Sequence, residues 1–161
     1  MNNTTLAIVQ PTITSSSAYA AGNCVGGLLN FNSAGLPGVA FLQRPMGLLQ
    51  NIVITSKSPQ STSFKLYLFR SQPTGTYTDK AAPVATAADG PLLVGIYTLS
   101  AVDTGLGSLC NAWVLSTPSP GLGDPILAAN LLTLYGVLVC TTTPTFTSTS
   151  DLNVTLKLRV D

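Results

Sequence analysis

The sequence contains no histidine and no glutamate, and only 8% of its residues are charged. An average soluble domain has roughly 25% charged residues. General acid–base catalysis would therefore depend on six aspartates, the lysines or a cysteine. A serine nucleophile would need the less common pairing with lysine, because no histidine is present to act as its base. We predict that the protein is not an enzyme.

The aspartates show no spacing typical of catalysis or of metal binding. No two of them are placed to share one strand face, as the carboxylate pair of a glycosidase would require. There is also no Asp-x-Asp-x-Asp run of the kind that binds calcium. Loop positions, where an aspartate side chain commonly caps a turn, are predicted for Asp79, Asp89, Asp103 and Asp124. We expect no catalytic residue, no cofactor and no bound metal.

The chain has three cysteines, Cys24, Cys110 and Cys140, and their spacing is not that of a metal site. An odd number of cysteines indicates free thiols in a reducing compartment. A zinc site would need all three thiolates and a fourth ligand. Cys140 ends an apolar run and is predicted to be a small core residue. Residues 1–5 lack the features of a signal peptide, so we expect synthesis in the cytoplasm.

Charge and hydropathy together indicate which partners to expect. No apolar run approaches the roughly 20 residues that span a bilayer, so no membrane partner is predicted. The net charge is +1 and the seven basic residues are scattered, which argues against nucleic acid as a partner. The mean hydropathy is +0.40. Because so little charge is available to keep copies apart, we expect other protein to cover much of the surface.

Short runs rich in β-branched and aromatic residues alternate with Gly- and Pro-rich connections along the whole chain. This pattern predicts an all-β protein with about eight strands in a single domain over residues 1–161. Long connections favour a two-sheet antiparallel β-sandwich of the jelly-roll or Greek-key type. The predicted strands cover residues 4–15, 19–31, 48–55, 63–70, 92–100, 109–115, 131–140 and 151–161.

The period of two predicts which side chains face the core. In residues 63–70, Phe64, Leu66 and Leu68 share one face. Residues 131–140 are apolar at nearly every position, as in a strand that is buried on both sides. Glycines within residues 19–31 predict a bulge or a close approach of backbones. The last strand alternates throughout, with inward positions at Leu152, Val154, Leu156, Leu158 and Val160.

Two apolar segments are candidate contact surfaces for a partner. The first is residues 1–14, an N-terminal arm or edge strand that could add a strand to the sheet edge of a neighbour. The second is the Gly- and Pro-rich segment 36–46, which either covers the sandwich or faces a partner. The candidate contact residues are Leu6, Ile8, Leu36, Val39, Phe41, Leu42 and Met46.

Four aromatic residues allow two interpretations. They either form a platform on which a sugar ring stacks, or they lie in the core or at an interface, which is the more common role of aromatic residues in sheets. These residues are Tyr77, Tyr97, Trp113 and Tyr135.

Several segments of the chain resemble small structural proteins of tailed bacteriophages. The segments that carry the resemblance are YAAGNCVGG (19–27), QNIVITSK (50–57), LYLF (66–69), SQP (71–73), YTDK (77–80), LYGVLV (134–139) and PTFTSTSDL (144–152). The chain departs from the pattern at Cys24, where Asp or Glu is expected, so no ion-binding role is carried over to this position.

The resemblance implies a capsid decoration (cement) protein. Such a protein is a β-sandwich that binds the outside of the capsid between major capsid subunits and reinforces the shell. Its partners would be the major capsid protein and itself, as a homotrimer or homodimer, and its location would be the virion. The alternative is a receptor- or glycan-binding module of a phage tail or baseplate, which predicts affinity for sugars.

Overall fold

The structure is a computed structural model that describes residues 3–31, 47–100, 102–103, 111–116, 124–126 and 134–160. Within these ranges the chain forms ten β-strands and one 3-10 turn at Gly90–Leu92. The strands are β1 (Asn3–Val9), β2 (Cys24–Asn30), β3 (Gly47–Ser56), β4 (Phe64–Phe69), β5 (Leu93–Leu99), β6 (Val102–Asp103), β7 (Asn111–Ser116), β8 (Asp124–Ile126), β9 (Tyr135–Cys140) and β10 (Leu152–Val160).

The strands form two antiparallel sheets. The first sheet has the order β1-β10-β3-β7-β6, and β8 pairs with another part of β3. The second sheet has the order β2-β9-β4-β5. The predicted all-β, two-sheet antiparallel sandwich is therefore confirmed.

The pairing of the eight longer strands is nested. The first pairs with the last (β1 with β10), the second with the next to last (β2 with β9), then β3 with β7, and finally β4 with β5. This pattern arises when one long hairpin folds across itself, and it makes the sandwich a jelly roll. The remaining two strands, β6 and β8, have two and three residues. Strands this short show no alternating pattern in the sequence, so they were not predicted. Asp103 and Asp124 therefore lie in strands β6 and β8, and the prediction that they lie in loops is wrong.

The main core lies between the two sheets and follows the predicted alternation. In β4, Phe64, Leu66 and Leu68 are fully buried. In β10, the predicted inward residues whose side chains are described are all buried, namely Leu152, Val154, Leu156 and Leu158. The side chain of Val160 lies outside the described part. Every residue from 136 to 140 in β9 is buried, as expected for a strand that is covered on both sides. Cys140 belongs to this core, as predicted.

Strand β2 contains the bulge that its glycines predict. Its register with β9 shifts between Cys24 and Leu28. Gly26 and Gly27 both have positive φ, 79° and 69°, which favours glycine because an L side chain is strained there. A Cβ atom on Gly26 would overlap with the ring of Pro11. The bulge therefore lets β2 pass directly against the segment that follows β1.

Among the described strands, β1 lies at one edge of its sheet, and it ends at Val9, two residues before Pro11. The residues that follow it remain part of the fold, since Ile13 is buried in the main core. Ala7 is buried as well. Residues 3–14 thus form a docked edge strand and its connection, because Ala7 and Ile13 contribute to the core.

Residues 81–88 contain no helix. Val84 instead pairs with Thr76 in an isolated antiparallel bridge. Pro83 accounts for this, because proline cannot donate the backbone hydrogen bond that a helix interior needs. The loop between β4 and β5 therefore folds as a small irregular hairpin.

Substituting Gly26 tests the close packing of the bulge. Both Gly26→Ala and Gly22→Ala place a side chain at positive φ, which costs roughly 1–2 kcal/mol. Only Gly26→Ala also forces a Cβ atom into Pro11, since nothing lies within 4 Å of the Cβ position at Gly22. We expect Gly26→Ala to lower the free energy of unfolding by about 1–3 kcal/mol more than Gly22→Ala in urea denaturation. Equal effects of the two variants would contradict the packing described here.

Candidate functional site

The outer face of the second sheet carries a continuous row of apolar side chains. Tyr67 of β4 pairs with Ile96 of β5 on one side and with Val137 of β9 on the other. Val137 in turn pairs with Leu28 of β2. Because paired residues point to the same face, these four side chains cross all four strands. This face is not the polar outer surface that a solvated antiparallel sheet normally has.

A second row runs beside the first. Phe69 pairs with Leu93 and with Tyr135, and Tyr135 pairs with Asn30. Phe69 is buried and Tyr135 is half-buried, although both point away from the main core. We call the two rows together the apolar face.

The loop between β4 and β5 covers part of the apolar face. The side chain of Tyr77 is only 9% exposed, and its ring centroid lies 6.0 Å from that of Phe69. Tyr77, Phe69 and Val137 belong to a second buried cluster that is separate from the main core. The loop thereby gives the sandwich a second, smaller hydrophobic core outside its sheets.

Between the loop and the sheet lies a cavity of about 150 Å³. It is smaller than the roughly 300–1,000 Å³ of a typical pocket for a drug-sized ligand. Its volume suits one ring or one branched aliphatic side chain. The residues that line it are Tyr67, Phe69, Tyr77, Pro83, Ala85 and Val137. The only polar side-chain atoms among them are tyrosine hydroxyls, so the cavity can hold an apolar group but offers little to a sugar.

Asp89 closes the loop over the cavity. Its buried carboxylate accepts hydrogen bonds from the backbone N–H groups of Thr74 (2.6 Å), Gly75 (3.1 Å) and Thr86 (2.9 Å). The hydroxyl of Tyr77 donates to the same group at 2.8 Å. Burial acts to raise the pKa of Asp89, but these hydrogen bonds outweigh it and hold the pKa well below its usual value. Burial and the bond to Asp89 raise the pKa of Tyr77 to about 12.

Asp79 joins the same loop to the rest of the fold. Its carboxylate accepts hydrogen bonds from the N–H of Thr14 at 2.9 Å, the hydroxyl of Thr14 at 2.7 Å and the N–H of Gly26 at 2.6 Å. The hydroxyl of Tyr19 donates to it at 2.8 Å. Burial and the bond to Asp79 raise the pKa of Tyr19, which therefore remains a donor. Asp79 thus connects three segments: its own loop, residues 14–19, and the bulge of β2 at Gly26.

Asp151 plays the same part at the start of β10. It accepts hydrogen bonds from the hydroxyl of Ser58 at 2.7 Å and from the N–H groups of Thr147 at 2.8 Å and Ser148 at 3.1 Å. Burial acts to raise its pKa, but these bonds lower it below the usual value. The turn-capping role predicted for loop aspartates is found at Asp89, which accepts from the N–H of Thr86 in its own turn. Asp79 lies in the predicted loop but bonds distant segments instead. Asp151 was predicted only as the first residue of the last strand.

The four aromatic residues of the possible sugar platform do not come together. Tyr77 and Tyr135 lie on the outer side of the second sheet, whereas Tyr97 packs against the main core. Trp113 lies in β7, opposite Ile54, and its side chain is outside the part of the structure that is described. The apolar face is formed largely by other residues.

The contact residues predicted from the sequence fall into two groups. Ile8 is 54% exposed, and Leu6 lies in the same strand opposite Lys157, although its side chain is not described. The other five, in the segment 36–46, lie outside the described residues: Leu36, Val39, Phe41, Leu42 and Met46. Three exposed apolar residues were not predicted as contacts from the sequence: Val84, Leu93 and Ile96, which are 60%, 37% and 54% exposed. The sequence did carry a signal for this surface, because residues 66–69 have apolar side chains on both faces of the strand, and Tyr67 and Phe69 pair with Ile96 and Leu93.

The described residues contain no group of three Cys, Asp or Glu side chains that could hold a metal ion. In the same part of the chain, no helix has the length and apolar character to cross a membrane. Cys24 and Cys140 are free and buried. Burial, together with the nearby Asp79, raises the pKa of Cys24 to about 11, so its thiol is not poised as a nucleophile.

Comparison of the sequence with protein-family models and with curated proteins finds no match. The function is therefore inferred from the surfaces described above.

Replacing Asp79 tests its part in holding the segments together. In Asp79→Asn an amide NH₂ faces groups that are themselves donors, so about two of the four hydrogen bonds to the carboxylate are lost. Each hydrogen bond to a charged group contributes about 1.5–3 kcal/mol. We expect Asp79→Asn to lower the free energy of unfolding by about 2–4 kcal/mol in urea, while Thr78→Ala, at the exposed neighbouring position, changes it by less than about 0.5 kcal/mol. Similar stabilities of the two variants would rule out the role given to Asp79.

The two aspartates with lowered pKa predict a loss of stability in acid. The unfolded chain binds protons to Asp89 and Asp151 near the ordinary pKa of about 3.9, whereas the folded protein resists protonation. Stability is therefore fully present above about pH 5 and falls as the pH drops through 4 toward the folded pKa values. We expect the urea midpoint to decrease between pH 5 and pH 2.5, with a smaller decrease in Asp89→Asn. A midpoint that is constant over this range would contradict the assignment.

Proposed function

We propose that this chain is a non-enzymatic structural protein of a tailed-phage particle. In this proposal it binds the outside of the capsid between major capsid subunits and stabilises the shell. The observation that carries the proposal is the outer edge of β1. Among the described strands β1 pairs only with β10, so its other edge is available to a strand of a neighbouring protein.

The β1 edge lacks the features that normally prevent edge-to-edge association. Natural edge strands are protected by charged side chains, by proline, by bulges or by being very short. β1 has seven residues, none of which is charged or proline, and its pairing with β10 continues without a register shift. Ile8 adds an exposed apolar side chain at this edge. An unprotected edge of this kind suits β-augmentation, in which main-chain hydrogen bonds join the strands of two proteins.

The composition supports the same proposal. A surface with few charges gives little electrostatic repulsion between closely packed copies, which suits a protein present in many copies on one shell. The jelly roll occurs in viral capsid proteins and in lectins, so the fold is compatible with the proposal but does not decide it. A decoration protein acts by mass action, since it binds the assembled lattice more tightly than free subunits.

The second candidate is a receptor- or glycan-binding module of a phage tail or baseplate. The observation in its favour is the aromatic cavity, because rings of tyrosine and phenylalanine can stack on a sugar. The hydroxyl of Tyr77, however, is already bonded to Asp89. A sugar site usually needs several placed polar groups to fix orientation, so the cavity supports this candidate less well than the β1 edge supports the first.

A charge placed on the β1 edge tests the first proposal. Ile8→Lys adds an ammonium group at an exposed position, where it leaves the core intact but disfavours strand pairing. Thr143→Lys adds the same charge at an exposed loop position far along the chain. We expect the original protein and Thr143→Lys to pellet with empty phage capsids and to raise the temperature at which the shells break. Ile8→Lys should bind at least tenfold more weakly.

Failure of the original protein to pellet with capsids would overturn the proposal and favour the tail module, for which host surface glycans are the ligands to screen. If it pellets but Ile8→Lys binds equally well, the β1 edge is not the contact surface.

A further inference from the structure

We propose that the apolar face and its cavity form a two-fold interface between two copies of this chain. The interface would bring the second sheets of the two copies together, with exposed aliphatic side chains of each copy inserted toward the cavity of the other. It involves none of the residues of the β1 edge, and the proposal does not depend on capsid binding.

This surface carries both a cavity and protruding side chains. Of the four large hydrophobic residues exposed in the described part of the chain, Val84, Leu93 and Ile96 lie on the apolar face or on the loop beside it. Ile96 is paired directly with Tyr67, which lines the cavity. A two-fold contact requires the same patch on both partners to be self-complementary. A protruding side chain next to a cavity of side-chain size meets that requirement.

The two rows of the apolar face also carry no charge. A two-fold axis brings each face against its own copy, so a net charge on the face would repel itself. Neither row of the apolar face contains a charged residue. The next row on this side of the sheet carries Lys65, which pairs with Thr98 and Val139, and the charge of Asp89 in the covering loop is buried. A partner with a charged surface would find no opposite charge in these rows. A second copy, in contrast, would meet no like charge in them.

The size of the surface determines the strength of association to expect. Four strands about 4.8 Å apart and five residues of about 3.3 Å each give a sheet area of roughly 300 Å². The loop already covers part of this area, where Phe69 and Val137 are buried. A standard interface buries about 800 Å² per partner. The sheet alone is too small for this, so the loop with Val84 must contribute and the dimer should be weak. We therefore expect association in the micromolar range rather than an obligate dimer.

The experiment is sedimentation equilibrium of the purified protein over a concentration series from about 1 μM to 1 mM. It uses the original protein, Ile96→Lys and Ile8→Lys. Both variants place a lysine at a side chain that is 54% exposed, one on the apolar face and one on the β1 edge. We expect the original protein and Ile8→Lys to form dimers with similar dissociation constants. For Ile96→Lys the constant should rise at least tenfold. Thermal unfolding checks that each variant is folded.

Ala85→Trp provides a second test, should Ile96→Lys fail to fold. Ala85 is exposed and lines the cavity, so an indole there fills the hole without entering the main core. It should weaken the dimer in the same way. A protein that remains monomeric at 1 mM would overturn the proposal, as would dimers that both Ile96→Lys and Ala85→Trp leave intact. Loss of the dimer in Ile8→Lys would also overturn it and assign self-association to the β1 edge. None of these readouts involves capsids, so they separate this proposal from the proposed function.

Discussion

The carboxylate of Asp79 is the point at which distant parts of this chain meet. Its hydrogen bonds reach Thr14, which follows the edge strand, and Gly26, which forms the bulge of β2. Just beyond it, the backbone of Lys80 and Ala81 pairs with Cys24 at the start of β2. One half-buried carboxylate with four donors therefore connects the N-terminal segment, the second sheet and the loop that covers that sheet. In a chain with so few charges, a carboxylate of this kind supplies hydrogen bonds that are stronger than those between neutral groups.

The position of that loop explains why the sandwich has two hydrophobic cores. A jelly roll buries the inner faces of its sheets, and the outer faces normally meet water. Here the loop, closed internally by Asp89, lies over the outer face of the second sheet and buries Phe69 and Val137. It covers only part of that face, which leaves Ile96 exposed beside the cavity. The cavity and the exposed aliphatic side chains are thus both present because the loop covers only part of the outer face of the second sheet.

Local pattern predicted much of the fold but not its long-range contacts. The alternation in β4 and β10 identified the inward residues, because a period of two is a property of each strand alone. The glycines of β2 predicted its bulge for the same reason. The nested pairing that distinguishes a jelly roll from other sandwiches was left open, since it depends on which strands meet across the whole chain. The bonds of Asp79 were also beyond reach, because its partners are 53 and 65 residues away. The signal for the apolar face was present in residues 66–69, but an apolar residue on each side of a strand indicates burial without indicating what covers it.

The two proposed surfaces lie on different sheets, and this separation has a consequence for function. The β1 edge belongs to the first sheet and the apolar face to the second. A copy joined to another through the apolar face would still present its β1 edge, so a dimer would carry two edges related by the two-fold axis. A pair of linked sites gains avidity only when both can engage at once, and the gain then needs no new contact. In the proposed role, a weak dimer would bind the assembled shell more tightly than free capsid subunits. Two capsid subunits lie at a fixed separation in the shell and can engage both β1 edges at once, whereas a free subunit engages only one.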